Sequence, residues 1–435
     1  MARSGLRTTV VVVVVATSLL LASPGFAASF GPPHRASARY AWNPGKSLVA
    51  TDRRLLSIWA SDCPPPSEKC ATDSGPHMGV FVQRSPAGAV PPTWSKPFRL
   101  SPRGVHAERP SIAAEGSTVI ASWVTQRRYL RYRPRAPRVL WVRISRNRGR
   151  TWGAAKRLSP VDGRVDYPRV AIGDGRLFAV WTSGGNGAIR IAHSDDNGKH
   201  WAKATVAQTT STPFGAGEGY AGLPDIGASG QNVALAWIAT DTGIQRALLS
   251  STGGDDFVGA TPQPLTGRSP NDRQHYPAVG GATDPADPRV AIAYSTRTSV
   301  ELRTFDGVTL GAPSVVFTWG TTIAGVRFDD GYGPAVLPLD PARIAVAVAG
   351  CRRNLFAAHP CDPFAKGSRI DVLYVETPDD GATWETPVRL TDASSGQFRT
   401  NDEPSIALTG ARRRVAFDRY QPSFRSYAVW LRTSN

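Results

Sequence analysis

Cysteine is scarce in this sequence, with four residues in 435. That number is too small for a disulfide-framework miniprotein of this length. The 42 glycines and 36 prolines, about 18% of the chain, exclude a coiled coil. Acidic residues are also few, 34 against 51 lysines and arginines, which gives a net charge of +17. Hydrophobic residues at 41% are nevertheless enough to bury a large core, so overall disorder is excluded.

Long apolar runs are absent after the first thirty residues. The one at the start, Thr9–Leu21, follows Arg3 and Arg7 and leads into small residues. It is shorter than the ~20 residues of a membrane-spanning helix. This pattern predicts a secretory signal peptide over residues 1–27, with a retained membrane anchor as the alternative. We therefore expect an extracellular, monomeric protein whose single domain covers residues 28–435, with no membrane span after cleavage.

Secretion makes the four cysteines informative. Cys63 and Cys70 bracket six residues, and Cys351 and Cys361 bracket nine. An even number of cysteines in an oxidising compartment predicts two local disulfides. A metal site is the alternative, but the spacing fits no zinc pattern and no histidine cluster accompanies the cysteines. We predict no metal and no cofactor.

A short pattern recurs along the chain at a period of about 55–60 residues. In each copy a proline precedes a short alternating strand, and successive prolines are 58, 56, 53, 57 and 70 residues apart. Proline is tolerated at the first residue of a strand because its missing N–H is not needed there. The six prolines are Pro110, Pro168, Pro224, Pro277, Pro334 and Pro404.

A second, apolar segment follows each of these prolines and is rich in β-branched and aromatic residues, as in Ile120–Trp123 and Phe178–Trp181. Such runs indicate buried second strands. Leu55–Trp59 is a further copy, which brings the units to seven. Repeats of four short strands at this period predict an all-β fold, a β-propeller of seven four-stranded blades. A six-bladed ring and a pair of two-sheet sandwiches are the alternatives.

The two ends of the chain are predicted to meet in one blade. The last unit begins at Pro404 and has room for three strands. The stretch Arg35–Trp42 can supply the missing outer strand. Closing the ring in this way removes the exposed edges of an open array.

Three copies of a turn pattern lie between predicted third and fourth strands. They comprise Ser145, Asn147, Gly149 and Trp152; Ser194, Asp196, Gly198 and Trp201; and Thr377, Asp379, Gly381 and Trp384. In such a turn Asp or Asn binds backbone N–H groups, glycine adopts a left-handed conformation, and Trp packs between blades. The pattern resembles the Asp box of the bacterial neuraminidase repeat, and the resemblance to sialidase-like propellers extends over nearly the whole mature chain. It implies that the boxes are structural and lie opposite the binding face.

The opposite face carries arginines, carboxylates and tyrosines, which suit an anionic ligand. The resemblance implies a sialidase site, with an arginine triad, a tyrosine nucleophile, its carboxylate partner and an acid/base aspartate. The catalytic candidates are Tyr276, Asp166 and Glu403. The ligand-binding candidates are Arg109, Tyr167, Arg169, Arg273, His275, Arg399, Asp402, Arg419 and Tyr420.

One difference from sialidases argues against the predicted catalytic activity. The first inner strand, Ser47–Thr51, has no arginine where sialidases carry Arg-Ile-Pro. The first hypothesis is therefore a propeller that binds an anionic glycan or cell-wall polymer without cleaving it. The alternatives are an exo-acting glycoside hydrolase and an extracellular protein-interaction scaffold. Nucleic acid is not an expected partner, because the protein is predicted to be extracellular.

Overall fold

The structure is a computed structural model, and all regular secondary structure that it describes is β-strand. In the part of the chain that the structure describes, no helix is long and apolar enough to span a membrane. The described residues are 28–37, 41–42, 47–61, 78–126, 137–160, 165–183, 188–207, 222–239, 244–266, 277–284, 286–352, 369–392, 401–421 and 426–435. The predicted signal peptide lies outside them.

Apart from one two-stranded hairpin, the described strands form seven antiparallel sheets, the blades of a propeller. Blade 1 contains β2 (Ala41–Trp42), β3 (Leu48–Ala50), β4 (Arg54–Ser61), β5 (Gly79–Pro86) and β6 (Phe98–Arg99). Blade 2 contains β7 (His106–Glu115), β8 (Thr118–Gln126), β9 (Arg138–Ser145) and β10 (Lys156–Arg157). Blade 3 contains β11 (Val165–Gly173), β12 (Arg176–Ser183), β13 (Ala188–Ser194) and β14 (Ala202–Ala207). Blade 4 contains β15 (Asp225–Ser229), β16 (Asn232–Ala239), β17 (Ile244–Ser250) and β18 (Gln263–Pro264).

The remaining blades repeat this order, and a short hairpin separates blades 5 and 6. Blade 5 contains β19 (Ala278–Gly281), β20 (Val290–Ser295), β21 (Ser299–Phe305) and β22 (Ser314–Thr318). The hairpin consists of β23 (Thr322–Ile323) and β24 (Val326–Arg327). Blade 6 contains β25 (Asp330–Pro338), β26 (Ile344–Cys351), β27 (Ile370–Thr377) and β28 (Val388–Arg389). Blade 7 contains β29 (Asn401–Thr409), β30 (Arg412–Gln421), β31 (Ser426–Thr433) and β1 (His34–Arg35).

Seven blades are confirmed, and the six-bladed and sandwich alternatives are wrong. The ring closes in blade 7, where β1 from the N-terminal side pairs with the C-terminal strand β31. The closing strand begins one residue before the predicted stretch and ends at Arg35. The later part of that stretch, Ala41–Trp42, pairs instead with β4 in blade 1. Both ends of the chain thus cover sheet edges that would otherwise be exposed.

The second strands are apolar because each contacts neighbouring blades on both faces. Strand β26 is buried at every residue, and the side chains of Trp59 in β4 and Trp123 in β8 are fully buried. A strand covered on both sides has no reason to alternate polar and apolar residues. This burial explains why the repeat was visible in the sequence as short continuous apolar runs.

Four of the six prolines of the repeat lie inside inner strands rather than at their first residue, whereas Pro224 and Pro277 directly precede β15 and β19. Strands β7, β11, β25 and β29 each have a register shift around the proline, which is typical of a β-bulge. The residue before the proline is left-handed in all four, with φ of 53° at Arg109, 48° at Tyr167, 58° at Gly333 and 49° at Glu403. A bulge tolerates proline because it leaves one residue out of the hydrogen-bonded ladder.

The three Asp-box segments share one set of turn hydrogen bonds. The Ser or Thr hydroxyl accepts from the glycine N–H at 2.9, 2.8 and 2.7 Å in chain order. The Asn or Asp side chain accepts from the N–H four residues later at 2.8, 2.8 and 2.7 Å. Gly198 has a φ of 82°, and a Cβ there would lie 2.1 Å from Ile144, so glycine is required. Each box tryptophan packs against the core shared with the preceding blade.

The strand order assigns these turns to one face of the propeller. First strands run towards this face and third strands return to it, so turns between strands three and four lie beside those between strands one and two. Two ion pairs join the turns, Arg148 with Asp52 at 2.6 Å and Arg289 with Asp380 at 2.6 Å. We call this end the Asp-box face and the opposite end the loop face.

Candidate functional site

The inner strands of all seven blades surround a central cavity of about 500 Å³. This volume is within the ~300–1,000 Å³ range of small-molecule sites. Of the residues predicted from the sequence, Arg169 and Glu403 line it. The cavity is therefore large enough for a ligand, and its charged lining residues are one cation, Arg169, and four carboxylates, Asp52, Glu115, Asp225 and Glu403.

Several predicted residues cannot be assigned a geometry. Outside the described residues lie Tyr276, Arg273, His275, Arg399, Cys63, Cys70 and Cys361. Asp402 and Tyr420 lie in β29 and β30, and their side chains are not described. Cys351 is fully buried at the end of β26. The roles of these residues, including both disulfide pairings, remain predictions.

Three of the predicted residues meet between blades 2 and 3, in a cluster that we call the blade 2–3 network. Asp166 forms an ion pair with Arg109, with 2.9 Å between Nε and Oδ1, and accepts a 2.7 Å hydrogen bond from Arg138. The other guanidinium nitrogen of Arg138 lies 3.2 Å from Glu108. The members of the blade 2–3 network are His106, Glu108, Arg109, Arg138, Asp166 and Tyr167.

The charged groups of the blade 2–3 network shift the pKa values of their neighbours. Burial alone would raise the pKa of Glu108, but the hydrogen bond with His106 and the charges of Arg109 and Arg138 hold that pKa at about 2. Burial likewise opposes the charge of Arg109, and Asp166, Tyr167 and Glu108 outweigh it and raise the pKa of Arg109. Both groups are ionised at neutral pH, with Glu108 paired to Arg138 and Arg109 paired to Asp166.

Arg109 and Tyr167 come from equivalent positions of adjacent blades. The guanidinium carbon of Arg109 lies 4.0 Å from the centre of the Tyr167 ring, a cation–π contact. Both residues are the left-handed residue before a proline. Backbone strain of this kind costs about 1–3 kcal/mol per residue and is typical of functional sites.

Arg169 differs from the arginines of the network. It is 7% exposed, and its Nε lies 3.9 Å from Asp225, at the limit of an ion pair. The Asp225 carboxylate accepts hydrogen bonds from the backbone N–H groups of Ile226 at 2.9 Å and Val279 at 2.8 Å. The positive charge of Arg169 is thus weakly compensated where it lines the central cavity.

Arg419 lies outside both the blade 2–3 network and the central cavity. It is part of β30 rather than of a loop, and its guanidinium carbon lies 4.8 Å from the Trp430 ring and 5.6 Å from the Phe417 ring. It lines a separate cavity between blades 6 and 7 with Arg389 and Arg432. The predicted site residues with described side chains therefore divide among three places.

Glu108, Arg138 and His106 are not among the site residues predicted from the sequence. Glu108 had a signal, because it directly precedes Arg109 and Pro110 in the repeat. Arg138 had none, because its partner Asp166 lies 28 residues away in the next blade. Among the described residues, no group of three or more His, Cys, Asp and Glu side chains is placed to hold a metal ion.

Comparison with known proteins finds sialidases among solved structures. No family model matches the chain, and no curated protein matches its sequence. The chain is similar to the Hadza microbial sialidase Hz136, with 13% identity, a TM-score of 0.45 and coverage of 71% of this chain and 63% of that one. It is also similar to a mutant Trypanosoma rangeli sialidase displaying trans-sialidase activity, with 10% identity, a TM-score of 0.48 and coverage of 94% and 60%.

A third structure matches over nearly its full length. It is a protein of unknown function from Dyadobacter fermentans, with 12% identity, a TM-score of 0.46 and coverage of 92% of this chain and 98% of that one. This chain spans less than two thirds of either sialidase described above. These similarities concern the fold and do not extend to activity or ligand.

Proposed function

We propose that the protein recognises an anionic glycan or cell-wall polymer through the loop face and the central cavity, without cleaving it. The observation that carries this proposal is Arg169, a buried cation in the cavity wall whose nearest described carboxylate is 3.9 Å away. A guanidinium group can donate two parallel hydrogen bonds to a carboxylate, sulfate or phosphate. The net charge of +17 favours encounter with polyanions.

Two observations favour binding over hydrolysis. In the first blade, β3 lines the cavity with Leu48, Val49 and Ala50, so no arginine comes from that strand. Asp166, the candidate acid/base, is held by Arg109, Arg138 and the backbone N–H of Tyr167. A carboxylate bound in this way serves an ion-pair network better than proton delivery.

Secretion belongs to the same proposal. Cleavage near residue 27 would release the basic domain outside the cell, where anionic polymers are accessible. Disulfides between Cys63 and Cys70 and between Cys351 and Cys361 would then form. Mass spectrometry of secreted protein, with and without reductant, tests the cleavage position and both pairings.

Binding can be measured with polymers of defined charge. Polygalacturonate and dextran sulfate are the anionic probes, and neutral dextran is the control. We expect Arg169→Gln to weaken binding of an anionic probe at least tenfold and Arg169→Lys to weaken it less, because lysine keeps the charge. Arg150→Gln, an exposed position of the same Asp-box turn, is the matched control and should have no effect. Equal affinity of wild type and Arg169→Gln for every probe would refute the proposal.

An exo-acting hydrolase is a second candidate, favoured by the presence of Glu403 and Arg169 in the same cavity wall. A fluorogenic sialoside and a panel of other glycosides distinguish it from a binding protein. Turnover that is lost in Tyr276→Phe and Glu403→Gln would establish hydrolysis. Absence of both turnover and glycan binding would favour an interaction scaffold.

A further inference from the structure

A second cavity, of about 320 Å³, lies between blades 6 and 7 towards the loop face. The turn of the β23–β24 hairpin borders it through Ala324. It shares no lining residue with the central cavity. We call it the blade 6–7 cleft, and its lining residues are Ala324, Arg389, Leu390, Thr391, Asp392, Arg419 and Arg432.

A buried carboxylate organises one wall of the cleft. Asp371 in β27 is fully buried and accepts hydrogen bonds from Arg352 at 2.7 Å, Arg389 at 3.1 Å and Thr391 at 2.9 Å. Arg389 also donates to Asp392 at 2.5 Å. These contacts fix the direction of the Arg389 side chain, so one cation of the cleft is preorganised.

The opposite wall carries cations from blade 7. Arg419 is 7% exposed and is held against the rings of Trp430 and Phe417. The Nε of Arg432 is buried without a hydrogen-bond partner, and no described carboxylate pairs with this side chain. Two guanidinium groups from neighbouring strands thus line the same space as Arg389.

Positive charge exceeds negative charge in and around the cleft. Counted among the described residues, four arginines face two aspartates, and the hairpin's Arg327 is already paired with Asp329 at 2.8 Å. Burial lowers the pKa of Arg432, and burial followed by the charge of Arg432 lowers the pKa of Arg419 to about 10. An anion placed between the two arginines would raise the pKa of both.

We propose that the blade 6–7 cleft binds an oxyanion through Arg389, Arg419 and Arg432. Guanidinium groups bind phosphate, sulfate and carboxylate through paired N–H donors, and partial burial strengthens each such bond. The volume is at the lower end of the range for small-molecule sites, so an oxyanion fits together with a small molecule that carries it. The site is separate from the central cavity and does not depend on the function proposed there.

Calorimetric titration of the purified protein with inorganic phosphate and with glucose 6-phosphate tests this site, and glucose is the neutral control. We expect both phosphates to bind and Arg432→Gln to weaken both at least tenfold. Arg150→Gln, which removes an exposed arginine from the Asp-box face, should bind like wild type. Thermal unfolding without ligand shows that each variant is folded, and phosphate should raise the Tm of wild type more than that of Arg432→Gln.

The outcomes separate the source of the oxyanion from the existence of the site. Tighter binding of glucose 6-phosphate than of phosphate supports an oxyanion borne by a sugar, and equal binding supports capture of the free ion. No phosphate binding to folded wild type, or equal binding to Arg432→Gln, overturns the proposal. Binding of the polymers through Arg169 is unaffected by either result, so the two proposals fail independently.

Discussion

The blade 2–3 network and the blade 6–7 cleft use the same side chain in opposite ways. In the network two arginines, Arg109 and Arg138, are matched by two carboxylates, Glu108 and Asp166. In the cleft two described aspartates stand against four arginines, and Arg432 has no described ionic partner. Both regions are largely buried, so the difference lies in charge balance rather than in solvent exposure.

This difference teaches how to distinguish structural arginines from binding arginines. A buried ion pair that is already complete offers little to a ligand, and its loss leaves an uncompensated charge. A buried arginine without a counter-ion costs stability until an anion arrives. The functional expectation therefore moves from the network, where Arg109 lies, to Arg169, whose partner Asp225 is 3.9 Å away, and to the cleft.

The largest effect is expected at the carboxylates of the two regions. Asp371→Asn should lower the free energy of unfolding by about 3–5 kcal/mol, because Arg352 and Arg389 lose a fully buried counter-ion. Asp166→Asn should cost less, about 1–3 kcal/mol, because Arg138 keeps Glu108 as a partner. Urea denaturation of the purified variants measures both values.

An exposed aspartate of the cleft provides the control for this comparison. The side chain of Asp392 is 58% exposed, so Asp392→Asn should change stability by less than about 1 kcal/mol. The comparison would be contradicted if Asp166→Asn lowered the free energy of unfolding more than Asp371→Asn did. The stability of the protein would then depend more on the carboxylate of the balanced network than on that of the cleft.

The network should also reveal itself in the pH dependence of stability. The pKa of Glu108 falls from its ordinary 4.5 to about 2 on folding. A lowered carboxyl pKa contributes stability that is present above about pH 4.5 and is lost as the pH falls through about 2. The difference corresponds to roughly 3 kcal/mol.

Comparison of wild type with Glu108→Gln isolates this contribution. The difference in their free energies of unfolding should shrink by roughly 3 kcal/mol between about pH 6 and about pH 2. Denaturant titrations at several pH values measure it. If the difference stays constant over that range, the ion pair with Arg138 and the nearby charge of Arg109 do not set the charge of Glu108.

The fold could be predicted from the sequence because its physical causes are local and repeated. Each second strand is buried on both faces and leaves a short apolar run, and each Asp-box turn needs its own glycine and tryptophan. Strand β1 was misplaced by a few residues, since either His34–Arg35 or Ala41–Trp42 can pair as a short edge strand. The bulges were missed because a proline at a strand's first residue and a proline inside a bulge look alike in the sequence.

The site could be predicted only as a face. The order of strands assigned the boxes and the loops to opposite ends, but not the partner of any arginine. Arg138 contacts Asp166 across a blade boundary, and Arg432 meets Arg389 from a strand more than forty residues later. Pairings of that kind depend on how adjacent blades pack, and local sequence patterns do not predict that packing.

The smallest predicted effect is the sharpest test of the charge-balance comparison. Arg138→Gln should lower the free energy of unfolding by about 1–3 kcal/mol, because Glu108 and Asp166 lose a shared counter-ion. Arg432→Gln in chloride buffer should leave it unchanged or raise it by up to about 1 kcal/mol, because a buried cation without a described partner is removed. Urea denaturation measures both, and Arg150→Gln, at an exposed position of the Asp-box face, is the control. A loss in Arg432→Gln as large as that in Arg138→Gln would mean that the cleft arginine is as fully compensated as the network arginine, and the distinction between the two regions would fall.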